Sequence, residues 1–155
     1  MRNQGNERTT VAEYVTAWIG DQLFGLPISR VQDVFMLDRL TRVPLAPPEV
    51  AGVLNLRGRI VTAVDMHRRL GLPSVQAGGA PMAIGIELAG ESYGLLIDAV
   101  GEVLTLTDET REANPINLDH RLARVAAGVH RLDDRLMVVL DVDRVLDLGA
   151  GAMAA

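Results

Sequence analysis

Gly25-Leu26-Pro27-Ile28-Ser29-Arg30-Val31-Gln32-Asp33-Val34 is answered further along the chain by Gly94-Leu95-Leu96-Ile97-Asp98-Ala99-Val100-Gly101-Glu102-Val103, at an offset of 69 (94 − 25). A second stretch, Ala51-Gly52-Val53-Leu54-Asn55-Leu56-Arg57-Gly58-Arg59-Ile60, returns as Ala127-Gly128-Val129-His130-Arg131-Leu132-Asp133-Asp134-Arg135-Leu136, at an offset of 76 (128 − 52). That match runs on through Asp65 and Asp141 to Leu70 and Leu146. Two collinear matches read as an internal duplication. The offset grows by 7 (76 − 69), which places a longer loop in the second copy around Asp108–Asn117.

Both copies share one layout. A strand, a tight turn (Gly20-Asp21-Gln22; Gly90-Glu91-Ser92) and a second strand lead to apolar residues at every third position, Ile28, Val31 and Val34 or Ile97, Val100 and Val103. That spacing predicts a short helical turn. A hairpin follows, turning at Arg57-Gly58 or at Asp133-Asp134. A short helix comes last, capped by Asp65 and ended by Gly71 in the first copy, and capped by Asp141 in the second. Copies this short, dominated by hairpins, leave no room for βαβ crossovers and favour small antiparallel barrels that remove their own exposed edges. The fold class expected is mainly β, two small barrels with short helices. Pro73–Pro81, with its Ala77-Gly78-Gly79-Ala80, has the composition of a connector between copies, while Met1–Thr10 and Gly149–Ala155 read as disordered termini.

Composition excludes several function classes. The chain has 155 residues, 48% of them hydrophobic, enough for a core of useful size. Its longest apolar runs, such as Leu136–Leu140, fall far short of the ~20 residues that cross a bilayer. The polar start, Met1-Arg2-Asn3-Gln4, lacks a signal-peptide core, so a cytoplasmic location without membrane insertion is expected. Cysteine is absent, which removes disulfides, thiolate metal sites and thiol nucleophiles. All fifteen basic residues are arginine, so no lysine serves a P-loop or a Schiff base. A net charge of −5 with no basic block argues against nucleic acid as partner.

Candidate chemistry does not assemble. His67, His120 and His130 lack metal-ligand spacing, so no metal and no cofactor is expected. Gly149-Ala150-Gly151-Ala152-Met153-Ala154 fits a dinucleotide-loop pattern but has no helix after it to hold a pyrophosphate. Asp65 and Asp141 are duplicates of one position, and helix capping accounts for both better than a catalytic carboxylate pair. The serines Ser29, Ser74 and Ser92 stand in no nucleophile context. No enzyme is expected. Arg57, on a hairpin turn before a glycine, is placed to project a cation from a rigid platform, and the second copy carries Asp133 there.

The stretches Phe24–Val34, Thr41-Arg42-Val43-Pro44, Ala51–Val61 and Gly94–Val103, with Asn55-Leu56-Arg57-Gly58 at their centre, closely resemble the CheW family of bacterial chemotaxis coupling proteins. The likeness runs collinearly over residues 13 to 148. It implies one CheW-like domain over 13–150, made of two five-stranded SH3-like barrels, the first over 13–76 and the second over 81–148, with the final helix packing back on the first. It implies an adaptor that tethers the regulatory domain of the histidine kinase CheA to the cytoplasmic tips of chemoreceptors. A receptor-binding groove would comprise Val31, Gln32, Asp33 and Arg57, with Val100 and Val103 as its other wall. A kinase-facing surface would comprise Gly52, Asn55 and Met82. Asp33 stands where the family usually has Glu, and Thr62 where proline is common. Alternative readings are a coupling protein of another chemosensory pathway, such as pilus motility or surface sensing, and a small-molecule-binding regulator using the groove between barrels.

Overall fold

The computed structural model describes residues 11–72, 82–115 and 117–148. The expected connector Pro73–Pro81 and both termini lie outside the described residues. The first copy supplies β1 (Val11–Ile19), β2 (Gln22–Pro27), a 3-10 turn (Ile28–Arg30), β3 (Val31–Met36), β4 (Val50–Leu56), β5 (Arg59–Asp65) and α1 (Met66–Leu70). The second supplies β6 (Met82–Leu88), β7 (Glu91–Ile97), β8 (Ala99–Thr107), β9 (Arg111–Glu112), α2 (His120–Val125), β10 (Ala126–Arg131), β11 (Leu136–Leu140) and α3 (Val142–Val145). The mainly β class is as expected, and the strands form two sheets.

The sheets do not follow the expected division into 13–76 and 81–148. One has the order β8-β1-β2-β11-β10-β9, the other β3-β6-β7-β5-β4. The duplication pairs β1 with β6, β2 with β7, β3 with β8, β4 with β10 and β5 with β11, so each sheet takes its first hairpin from one copy and its remaining strands from the other. The junctions are parallel pairs, Phe24 opposite Val138 and Gly94 opposite Ala63. Connection length gives the reason. In each sheet the third kind of strand lies beside the first, not the second, and the Ile28–Arg30 turn or the lone Asp98 is too short to pass over a neighbouring strand. The chain therefore steps into the other sheet.

Strand alternation gives each sheet two buried faces. Val15, Ala17, Phe24, Leu26 and Val138 of one sheet meet Val64, Ile84, Ile86, Leu95 and Ile97 of the other in a shared core that also takes Met66 and Leu70 of α1 and Val142 and Val145 of α3. The opposite faces carry smaller cores: Phe35, Leu54, Val61, Ala63 and Ala83 in the five-stranded sheet, and Tyr14, Leu23, Met137 and Val139 in the six-stranded one. Phe35 and Leu54 lie on β3 and β4, the two ends of the five-stranded order, and belong to the same core.

The helical turn predicted from every third apolar residue is mostly strand. Only Ile28–Arg30 is 3-10; Val31 and Val34 lie in β3, while Val100 and Val103 lie in β8. A β-bulge creates the spacing: the register passes from Val31 opposite Ile86 to Asp33 opposite Gly85, and from Val15 opposite Val103 to Ala17 opposite Val100. One extra residue stretches a period of two into a three. The longer second-copy loop holds the 3-10 turn Asp108–Thr110 and β9, and is followed by α2, whose six residues with two buried are too few to show a periodicity.

Both caps form as expected. Asp65 Oδ1 accepts from the Arg68 N–H at 3.3 Å and Asp141 Oδ1 from the Arg144 N–H at 3.2 Å, and Gly71 ends α1 at φ 71°. Replacing either aspartate by alanine is expected to cost about 1 kcal/mol in urea unfolding. Equal geometry predicts equal losses.

His130 is buried at the position where the first copy has Leu54. Its Nδ1 lies 2.8 Å from Thr110 Oγ1, and its Nε2 lies 3.4 Å from the Tyr14 hydroxyl. Burial pushes its pKa below the ordinary 6.5, Arg111 pushes it the same way, and Asp108 opposes. The unfolded chain therefore takes up a proton that the folded chain resists, so this contribution is complete above pH 6.5 and is lost as pH falls below it. Urea unfolding at about pH 8 and pH 5 should show that loss, with a slope no steeper than about 1.4 kcal/mol per pH unit. His130→Leu should remove that part of the slope.

Candidate functional site

Strands β4 and β5 are joined by two residues, Arg57 at φ 52° and Gly58 at φ 85°. Positive φ at both central positions makes this a type I′ turn, one of the two-residue turns whose twist matches that of the flanking strands. Asn55 locks the turn, its Oδ1 accepting from the Gly58 N–H at 2.9 Å. Arg57 consequently leaves a rigid tip, and its Nη1 donates to Asp33 Oδ2 at 3.2 Å. That contact joins the two ends of the five-stranded sheet, since Asp33 lies on β3. Asp33 fits there because its register partner is Gly85, where an added Cβ would overlap the Asp33 carboxylate. With 72% of the Arg57 side chain exposed, the ion pair adds little stability; its effect is to hold a cation and an anion side by side on the surface.

The structure brings Arg57 and Asp33 together but distributes the other predicted groove residues. Gln32, the bulge residue, turns away and donates from Nε2 to Glu87 Oε1 at 2.7 Å. Val31 and Val100 are half-buried against the shared core, so for these two the valine is packing more than it is surface. Val103 is 51% exposed on β8, in the other sheet. Of the predicted kinase-facing residues, Asn55 is exposed at the turn, and Met82 is half-buried against the shared core at the start of β6. Gly52 is not a surface residue. It is buried at φ 154°, and a Cβ there would lie 2.5 Å from the Thr41 carbonyl oxygen. Its duplicate Gly128 is likewise buried, at φ 143°. Both sit at the bulge that opens their hairpin, which explains the recurring Ala-Gly-Val.

Sequence reasoning missed a set of exposed apolar residues on the same sheet. Val34 and Met36 project from β3 opposite Phe35 and are 39% and 60% exposed, while Ile60 beside the turn is 63% exposed. Val34 and Val103 are duplicates (103 − 34 = 69), so both copies present an exposed valine at the same position. Reading β3 as a strand would have revealed it, because alternation puts Val34 and Met36 on the face away from buried Phe35. Among the described residues no group of three or more acidic or histidine side chains is placed to hold a metal ion, and no helix is long and apolar enough to cross a membrane.

Comparison with known proteins places the chain in a family. A family model described as the CheW-like domain matches residues 13–149. The "Probable chemotaxis protein CheW" of Rhizobium etli is 29% identical over 91% of this chain and 88% of its own length. The "Chemotaxis protein CheW" of Rhizobium meliloti is 30% identical over 86% of each. Among solved structures, the scaffolding protein TtCheW from Thermoanaerobacter tengcongensis superposes with a TM-score of 0.76 at 26% identity, covering 84% of this chain and 89% of that one. With both copies, their hairpins and the Asn-Leu-Arg-Gly turn inside the matched span, the chain belongs to the CheW-like domain family.

Proposed function

We propose that this chain is a non-catalytic cytoplasmic adaptor that couples chemoreceptors to the histidine kinase CheA, recruited to membrane-bound receptor arrays by the cytoplasmic tips of those receptors. The observation that carries the reading is the Arg57–Asp33 pair on a rigid turn, in a chain of this family whose same sheet also exposes Val34, Met36 and Ile60. An amphipathic receptor helix would lay its apolar face on the exposed valines of β3 and β8, with Arg57 and Asp33 fixing its register by charge. Apolar contact supplies most of the affinity, and the ion pair supplies orientation. In this reading Gly52 and Met82 support the kinase-facing side from within, and Asn55 does so by holding the turn. The relatives named above are called chemotaxis proteins, and the solved neighbour is called a scaffolding protein.

The test is calorimetric titration of this protein against the regulatory domain of its own organism's chemotaxis kinase and, separately, against a receptor-tip fragment. Saturable binding to both is expected. No heat and no binding to either, with protein shown to be folded, would remove the reading and direct the search to kinases of other chemosensory pathways.

A further inference from the structure

We propose that the cleft between α1 and α2 binds an acidic peptide segment of a partner protein. The cleft has a volume of about 480 Å3 and is lined by Pro48, Glu49, Arg68, Arg69, Arg121 and Arg124. Four arginines against one acid is a local reversal of charge in a chain whose net charge is −5. Such a concavity draws anions from solution.

The four cations differ in what they are free to do. Arg69 is committed to the end of α3, donating from Nε to the Val145 carbonyl at 2.8 Å and from Nη2 to the Arg144 carbonyl at 2.8 Å, so it contributes charge but few hydrogen bonds. Arg68 lies 3.6 Å from Asp65, a long contact within its own helix turn. Arg121 and Arg124 are three residues apart on α2 and so share a face. Among the described residues neither has an ion-pair partner. Arg121 is laid across Gly71, where an added Cβ would fall 2.5 Å from its Cδ. Planar guanidinium groups suit carboxylates, which they bind through paired hydrogen bonds.

A second cleft, of about 580 Å3, adjoins the first through Pro48 and Arg68 and carries Val43, Pro44, Leu45 and Val50. Leu45 is fully exposed there at φ 66°. A basic hollow running into a proline-rich one that also carries Arg42 and Asp65 fits an extended peptide with acidic residues. Among the described residues no aromatic side chain lines either cleft to stack a base, which disfavours a nucleotide.

The experiment is fluorescence anisotropy with fluorescein-labelled hexaglutamate, using the full chain, the double variant Arg121→Gln/Arg124→Gln, and Arg131→Gln as a charge control. Arg131 pairs with Glu112 in the six-stranded sheet and lines neither cleft. Far-ultraviolet circular dichroism and the fluorescence of Trp18 establish that each variant is folded. Saturable binding by the full chain, weakened at least roughly ten-fold in the double variant and under two-fold in the control, is expected. Equal weakening in both variants, or no saturation, overturns the proposal. Binding of tripolyphosphate at the cleft without hexaglutamate binding also overturns it, reassigning the cleft to phosphorylated small molecules. Neither receptor nor kinase enters the assay, so its outcome is independent of the coupling reading.

Discussion

Arg57→Glu is expected to weaken binding of the receptor-tip fragment by roughly thirty-fold, the loss typical of an interface arginine at a hot spot. Arg57 is largely exposed and its ion pair with Asp33 is a surface pair, so thermal and urea stability should move by only a few tenths of a kcal/mol. The reversal sets a second carboxylate beside Asp33 and converts a neutral pair into an anionic patch. Asp33→Asn separates two ways in which this happens. If Asp33 only steadies the guanidinium, Asp33→Asn costs a few-fold in Kd; if Asp33 itself touches the receptor, its loss approaches that of Arg57. Calorimetry on the three proteins reads the difference. Unchanged affinity in a folded Arg57→Glu protein would remove Arg57 from the receptor contact.

Gly52→Val is expected to cost about 3 kcal/mol or more, through a strained φ and overlap with the Thr41 carbonyl. The overlap falls on a paired bridge: the Thr41 N–H donates to the Val53 carbonyl and the Val53 N–H to the Thr41 carbonyl, each at 2.8 Å. Gly128→Val should be milder. Its nearest neighbour, the Glu112 carbonyl oxygen, is 3.0 Å from the built Cβ, against 2.5 Å at Gly52. Because Gly52 is buried, its variant should lose receptor and kinase binding together, in proportion to the unfolded fraction seen in urea titrations. Full stability with a selective loss of kinase binding would return Gly52 to the kinase-facing surface.

Much of this was legible in the chain because duplication prints each structural requirement twice. Asp65 and Asp141 recur because each caps a helix, and Gly52 and Gly128 because each opens a bulged hairpin at positive φ. Gly58 announced the turn because positive φ is costly for residues that carry a Cβ. What stayed hidden depends on contacts between distant segments. Nothing in Gly25–Val34 or its repeat states which hairpin its strands will join; that is fixed by connections of one to three residues and by parallel pairing between copies. The bulge at Gln32 imitated a helical period and so concealed exposed Val34. In sequence Val31 and Val100 look like groove walls, yet each is half-buried, a distinction set by the second sheet packed behind them.

The adaptor account stands or falls on whether one molecule holds two partners at once. The most direct measurement immobilises the receptor-tip fragment and follows retention of the kinase regulatory domain by biolayer interferometry, with and without this protein. The account predicts retention that appears only when the protein is present, saturates with its concentration, and falls sharply with Arg57→Glu. Kinase-domain retention that is indifferent to the folded protein, or blocked by it, would contradict coupling.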